Sequence, residues 1–206
     1  MSTPIPPARV PQEERTRAMR QRLMEATVEC LVEYGWTGTT TTVVSKRAGV
    51  SRGAQLHHFP TKSDLVMAAL DHLSERRHTE IAASAARLPP ERGRTRAALN
   101  LIADLYVSPV FFAALELWVA ARTDPVLREA VAPLERRFGR DAHRYTVSLL
   151  DIDESRGRNR QLVQATLDLT RGLALAASLS DDSARRAMIL DAWAITLDHE
   201  LDKDPR

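Results

Sequence analysis

The stretch TTTVVSKRAGVSRGAQLHHF, residues 40–59, constrains the chain more than any other part of it. It is too short and too punctuated to be one helix, and it reads instead as two short helices on either side of Gly49. Thr40 can cap the first, its hydroxyl accepting a backbone N–H. Val43, Val44 and Ala48 supply that helix's inner face. Gly49 permits the sharp turn, because glycine takes a positive φ without steric cost. Val50 then plugs the junction, and Ser51 caps the second helix. Two short helices at a fixed angle, the second offered outward, make a helix-turn-helix. The second helix carries Arg52, Gly53, Ala54, Gln55, His57 and His58. Arginine can donate two bonds to guanine, glutamine can pair with adenine, and small residues let a helix sink close to the bases. Ser51, Thr41 and Lys62 suit phosphate contacts, which set register and affinity.

Every other segment with a clear period also reads as helix. Over 13–34, Met19, Leu23, Ala26, Cys30, Leu31 and Tyr34 recur at three- and four-residue steps, and Gly35 stops the helix. Further helices are expected over 62–87, 95–107, 109–122, 133–150, 161–179 and 183–201, with 151–160 a polar loop. Leu162, Ala165, Leu169, Leu173 and Ala176 form the stripe of 161–179. Leu190, Trp193, Ala194, Leu197 and Leu201 form that of 183–201. The short linker between these two predicts an antiparallel hairpin. No strand pattern or repeat is present, so the fold class is all-α. The expected organisation is an N-terminal arm over 1–11, a three-helix head over 12–72 and a helical domain over 73–206.

Charge is unevenly spread. Residues 1–62 hold nine lysines and arginines against five glutamates, whereas the whole chain carries only +2. A basic front on a slightly acidic body suits nucleic acid. No apolar run approaches the ~20 residues of a bilayer span, and residues 1–15 hold no apolar segment of the signal-peptide kind. The chain is therefore expected in the cytoplasm. One cysteine, Cys30, excludes an intramolecular disulfide. There is no G-x-S-x-G, H-E-x-x-H or phosphate-binding glycine loop. His72 and His78 fall on different helix faces, a poor metal pair, and the carboxylates Asp151, Asp153 and Glu154 fit a solvated loop. No catalytic residue, metal or cofactor is expected.

The pattern G-W-x-G-T-T-T, A-G-V-S-R-G and H-H-F-P-T-K-S-D-L, spread over residues 35–65, resembles the TetR/AcrR family of one-component repressors. The resemblance covers about the first third of the chain. It implies that Arg52, Gly53, Ala54, His57 and His58 face bases, that Thr40 and Thr41 hold phosphates, and that Lys62 binds the DNA backbone. Thr42 stands where some members place a base-reading side chain. The family usually has an apolar residue followed by tyrosine where this chain has Gln55 and Leu56. Leu56 can touch a thymine methyl or turn inward, with Gln55 taking the polar role. His58 can face DNA or order the start of the following helix.

The same resemblance implies a homodimer through helices about 161–179 and 183–201, bound to a palindromic operator. It also implies an unidentified small-molecule effector in a pocket among the middle helices. The candidate lining residues are Tyr106, Phe111, Phe112, Leu115, Glu116, Trp118, His143 and Tyr145. Glu116, set among apolar neighbours, either faces solvent or pairs with Arg122, Arg171 or a ligand. A regulator without an effector, or an activator, is the alternative.

Overall fold

A computed structural model describes residues 12–89 and 93–202; the arm expected over 1–11 lies outside the described residues. These residues form nine helices and no strand: α1 (Gln12–Gly38), α2 (Thr41–Ala48), α3 (Arg52–His58), α4 (Lys62–Ala85), α5 (Arg94–Tyr106), α6 (Pro109–Ala121), α7 (Pro125–Leu150), α8 (Asn159–Ala176) and α9 (Ser183–Asp202). The chain divides into two compact units, Met1–Leu73 and Ser74–Arg206, and the division falls within α4. Among the described residues, no single helix is long and apolar enough to cross a membrane.

In the first unit, α2 packs on α1 and α3. The buried stripe of α1 includes Leu23, Ala26, Cys30 and Leu31 as its period predicts, but Tyr34 is exposed. The Tyr34 ring lies instead against the Arg47 guanidinium, whose carbon stands 5.2 Å from the ring centre. Gly35, at φ 64° and ψ −175°, breaks the helix, and α1 continues past it only as a further turn. The turn between α2 and α3 is built from capping chemistry. Thr40 Oγ1 accepts from the Val43 amide (3.2 Å), and Gly49, at φ 63°, donates its N–H to the Lys46 carbonyl (3.3 Å). The Val50 amide donates to Ser45 O (3.0 Å), and Ser51 Oγ accepts from Ala54 N (3.2 Å). A reciprocal box then starts α4: Asp64 N donates to Thr61 Oγ1 (3.0 Å) while Thr61 N donates to Asp64 Oδ2 (3.1 Å).

In the second unit α5 is central, packing against α6, α7, α8 and α9. Leu99, Ile102, Leu149, Val163 and Leu197 lie in one buried cluster. Helix α7 starts at Pro125, not at 133. Asp124 Oδ1 accepts from Leu127 N (3.0 Å), and Pro125 sits at the helix start, where a missing N–H costs nothing. Pro133 is carried inside the helix on its exposed side. The stripes expected on the last two helices separate. That of α9 faces the core, with Leu190, Ala194 and Leu197 buried. On α8 the buried side is Val163, Thr166, Leu167, Thr170, Leu173 and Ala174, while Ala165 and Ala176 are exposed. The Thr166 and Thr170 hydroxyls donate to carbonyls one turn back, so threonine serves there as an inner residue. Trp193 Nε1 donates to Thr166 Oγ1 (2.9 Å), tying α9 to α8.

Candidate DNA-contacting helix and an interior cavity

Seven residues make barely two turns, so α3 has one outward and one inward side. Arg52, Gly53, Leu56 and His57 are exposed and share one side at 100° per residue; Ala54 and His58 are half-buried. Gln55 turns inward. It is 0% exposed, and its Nε2 donates to the Phe59 carbonyl (2.8 Å), closing the end of α3. Gln55 is thus withdrawn from the outward set, and Leu56, 39% exposed, takes the outer place. The period explains the exchange: position 55 lies 300° round from Arg52, on the side that α3 turns to the rest of its unit. The outward side is narrow in chemistry, with one guanidinium, one imidazole, one apolar chain and one residue without a side chain.

The flanking polar groups are positioned by the same capping. Thr40, Thr42 and Ser51 are exposed and Thr41 is half-buried. The cap oxygens of Thr40 and Ser51 accept from backbone amides, which leaves their hydroxyl protons to donate elsewhere. Lys62 is anchored. Its ammonium donates to the Trp36 carbonyl and stands 3.7 Å from the centre of the Trp36 ring, and burial holds its pKa below the ordinary lysine value. An ammonium has three donors, so this anchorage still leaves two. Arg47 of α2 is tied back to α1 through Glu33 and the Tyr34 hydroxyl (2.8 Å). His58 is pushed below its usual pKa by burial first, then by His57 and Arg20. Its ring meets that of His57 edge-on at 5.1 Å.

The second unit contains a cavity of about 80 Å³. Tyr106, Phe111 and Trp118 line it, and the aromatic rings meet edge-on: Tyr106–Phe111 at 5.2 Å and Phe111–Trp118 at 6.1 Å. Phe112, Leu115, Glu116 and Tyr145 do not line it. Glu116 is exposed, the simpler of the two expectations for it. His143 belongs instead to a broad basic hollow with Arg140, Arg144 and Arg160. Gln164 Nε2 donates to His143 Nδ1 (2.6 Å), leaving Nε2–H to donate to Glu154 Oε1 (2.5 Å). Residues that periodicity did not single out complete the cavity wall, among them Arg77, Phe138, Ala142 and Arg171. Phe138 and Ala142 stand one turn apart on α7, a signal the sequence does carry. Among the described residues, no group of histidine, cysteine and carboxylate side chains could hold a metal ion.

The family model of bacterial regulatory proteins of the tetR family matches residues 23–69, which hold α2, α3 and their supports. The HTH-type transcriptional regulator CymR of Pseudomonas putida is 34% identical over 183 residues, covering 87% of this chain and 89% of CymR. The chain belongs to the TetR family. It is a DNA-binding transcriptional regulator, like the relatives it matches. The HTH-type regulator BetI of Brucella abortus is 28% identical over 185 residues, 86% of this TetR-family chain and 91% of BetI. A TetR-family regulator from Mesorhizobium loti superposes with a TM-score of 0.69 at 17% identity, over 93% of this chain and 99% of that one. The multidrug binding protein EbrR, complexed with ethidium, gives 0.58 at 23% identity, over 85% and 97%. Both superpositions show the same all-α fold.

Proposed function

We propose that this TetR-family regulator is a homodimeric repressor that binds a palindromic operator through α3 and is released by a small organic effector. The observation that carries the reading is the outward side of α3. Arg52 and His57 are offered to a groove, Gly53 leaves room for close approach, and the helix is fixed from behind by buried Gln55. Thr40, Thr41, Thr42, Ser51 and Lys62 surround it as phosphate donors, with Ala54 and His58 at its margin.

The dimer is supported by apolar surface on the last two helices and the loop between them. Leu175 of α8 is 42% exposed, Leu179 of the loop 96%, and Met188 and Ile195 of α9 65% and 72%. The core-facing stripe of α9 is not that surface. The effector reading is supported by the cavity and by α4, which begins at Lys62 and carries Ser74 and Arg77 of the cavity wall farther along. EbrR, of the same fold, holds ethidium. An effector acts by favouring the conformation that does not fit DNA, so its affinities for the two states must differ. The small volume of the cavity favours a second reading, a dimeric regulator with no effector.

A footprint on the DNA flanking the protein's own coding region tests the proposal. A protected site with two-fold symmetry, its half-sites about 34–36 Å apart or a multiple of that, supports the dimer. An asymmetric footprint, with the protein monomeric in sedimentation at the same concentration, refutes it.

A further inference from the structure

The cavity is apolar on most of its wall, through Leu105, Phe111, Ala114, Trp118, Phe138 and Ala142, yet it gathers polar hydrogens with nothing to accept them. Among the described residues, Arg77 Nε and Arg171 Nε are buried without a hydrogen-bond partner; the buried Tyr106 hydroxyl stands beside Arg171, which can only donate to it, so its own proton is left over, and all three residues line this cavity. Tyr106 is only 5% exposed. The outer ends of the two guanidiniums are engaged. Arg77 Nη2 donates to the Asp104 carbonyl (3.1 Å) and its Nη1 lies 3.3 Å from Glu80, while Arg171 Nη1 lies 3.5 Å from Asp168. The Arg171 guanidinium also stands 5.5 Å from the centre of the Tyr106 ring. One carboxylate, Glu135, shares the wall.

Buried polar groups are nearly always satisfied, so two unmet N–H groups and a spare hydroxyl proton in one wall describe the missing partner. An arginine Nε–H can only donate, and a tyrosine hydroxyl has a proton to give. The missing partner is therefore an acceptor. A cation would bring donors to donors and meet two guanidiniums. A neutral carbonyl accepts with one oxygen, whereas a carboxylate presents two oxygens and about four lone-pair sites. Resting on the effector reading above, we infer that the cavity takes a small carboxylate with an apolar, preferably planar, body, its head held by Tyr106 and Arg171 with Arg77. An enclosed void of about 150 Å³ is known to admit benzene; this cavity is about 80 Å³ and partly open to solvent. A ring that seats fully displaces the half-buried Trp118 or Phe138 side chains, and binding of the bare ring acid is weak.

Calorimetric titration of the full-length protein with benzoate, benzamide and benzamidine separates the alternatives, since the three share a ring and differ in charge. Benzoate is expected to bind roughly tenfold tighter than benzamide, because charge-assisted hydrogen bonds are about twice as strong as neutral ones, and benzamidine not at all. Tyr106→Phe keeps the ring and its packing on Phe111, so the fold is preserved. Tyr106→Phe and Arg171→Lys should each weaken benzoate severalfold and benzamide by less, since the amide offers one accepting oxygen and no charge. Benzamide or benzamidine binding as tightly as benzoate overturns the carboxylate assignment while leaving the cavity a ligand site. Failure of all three to bind overturns both. Benzoate binding that leaves affinity for the protein's own flanking DNA unchanged upholds the assignment and overturns the effector reading.

Discussion

Gly53→Ala moves stability and DNA affinity in opposite directions. Gly53 is the second residue of α3, its backbone is helical, and a Cβ built there meets nothing within 4 Å. In the free protein the methyl costs no contact, and it removes the conformational freedom that makes glycine a poor helix residue. Full replacement inside a helix is worth about 0.5–1 kcal/mol. Position 53 lies in the first turn, so the lower end applies, about 0.5 kcal/mol or about 2–4 °C in the melting of a head of this size. On DNA the same methyl stands on the outward side beside Arg52. If the helix sits in van der Waals contact with base edges, the extra methyl overpacks a closed interface. That costs about 1–3 kcal/mol, or roughly 5- to 150-fold in affinity. Thermal unfolding by circular dichroism and fluorescence anisotropy at fixed salt measure the two effects. The slope of affinity against salt should not change, since no phosphate contact is lost. A more stable variant with undiminished affinity would refute close approach at position 53. A less stable variant would refute the open space around it.

Three further outcomes follow from the geometry. Gln55→Ala empties a buried site and orphans the Phe59 carbonyl, so the head should lose about 2–4 kcal/mol in denaturant unfolding while the folded fraction binds DNA as before. Gly49→Ala forces an L side chain to φ 63° and should cost about 1–2 kcal/mol in the same assay, with no change in the contact surface of α3. His58 is held below its ordinary pKa, so the unfolded chain binds a proton there more readily than the folded one. Stability should therefore fall as pH drops through the ordinary histidine range, and His58→Asn should flatten that part of the profile; an unchanged profile would remove His58 as its source.

The turn between α2 and α3 was legible because its determinants are local. Thr40, Gly49 and Ser51 each act on backbone within three or four residues, and that chemistry needs no partner from elsewhere. The helical class and most element ends followed from the same caps. Prolines misled where their role depends on position: the helix expected from residue 133 begins instead at Pro125, capped by Asp124, and Pro133 rides inside α7. The exchange of Gln55 and Leu56 was not legible, because burial of a glutamine depends on a carbonyl four residues away needing its amide. On α8 an apolar pattern alone concealed that threonines bonding their own helix can face the core. The cavity was half legible. Its aromatic residues are conspicuous in sequence, whereas Arg77 and Arg171 look like surface residues until three helices bring them to Tyr106.

The central claim is that Arg52 on α3 reads sequence. Titrating the protein and Arg52→Ala against its own flanking DNA and against random DNA, across a salt series, tests it most directly. Loss of one bidentate base contact costs about 1–3 kcal/mol on the specific site, roughly 5- to 150-fold, while random DNA loses far less and the discrimination between the two shrinks. Equal affinity of the two proteins for the specific site, or an equal loss on both DNAs, would contradict the account.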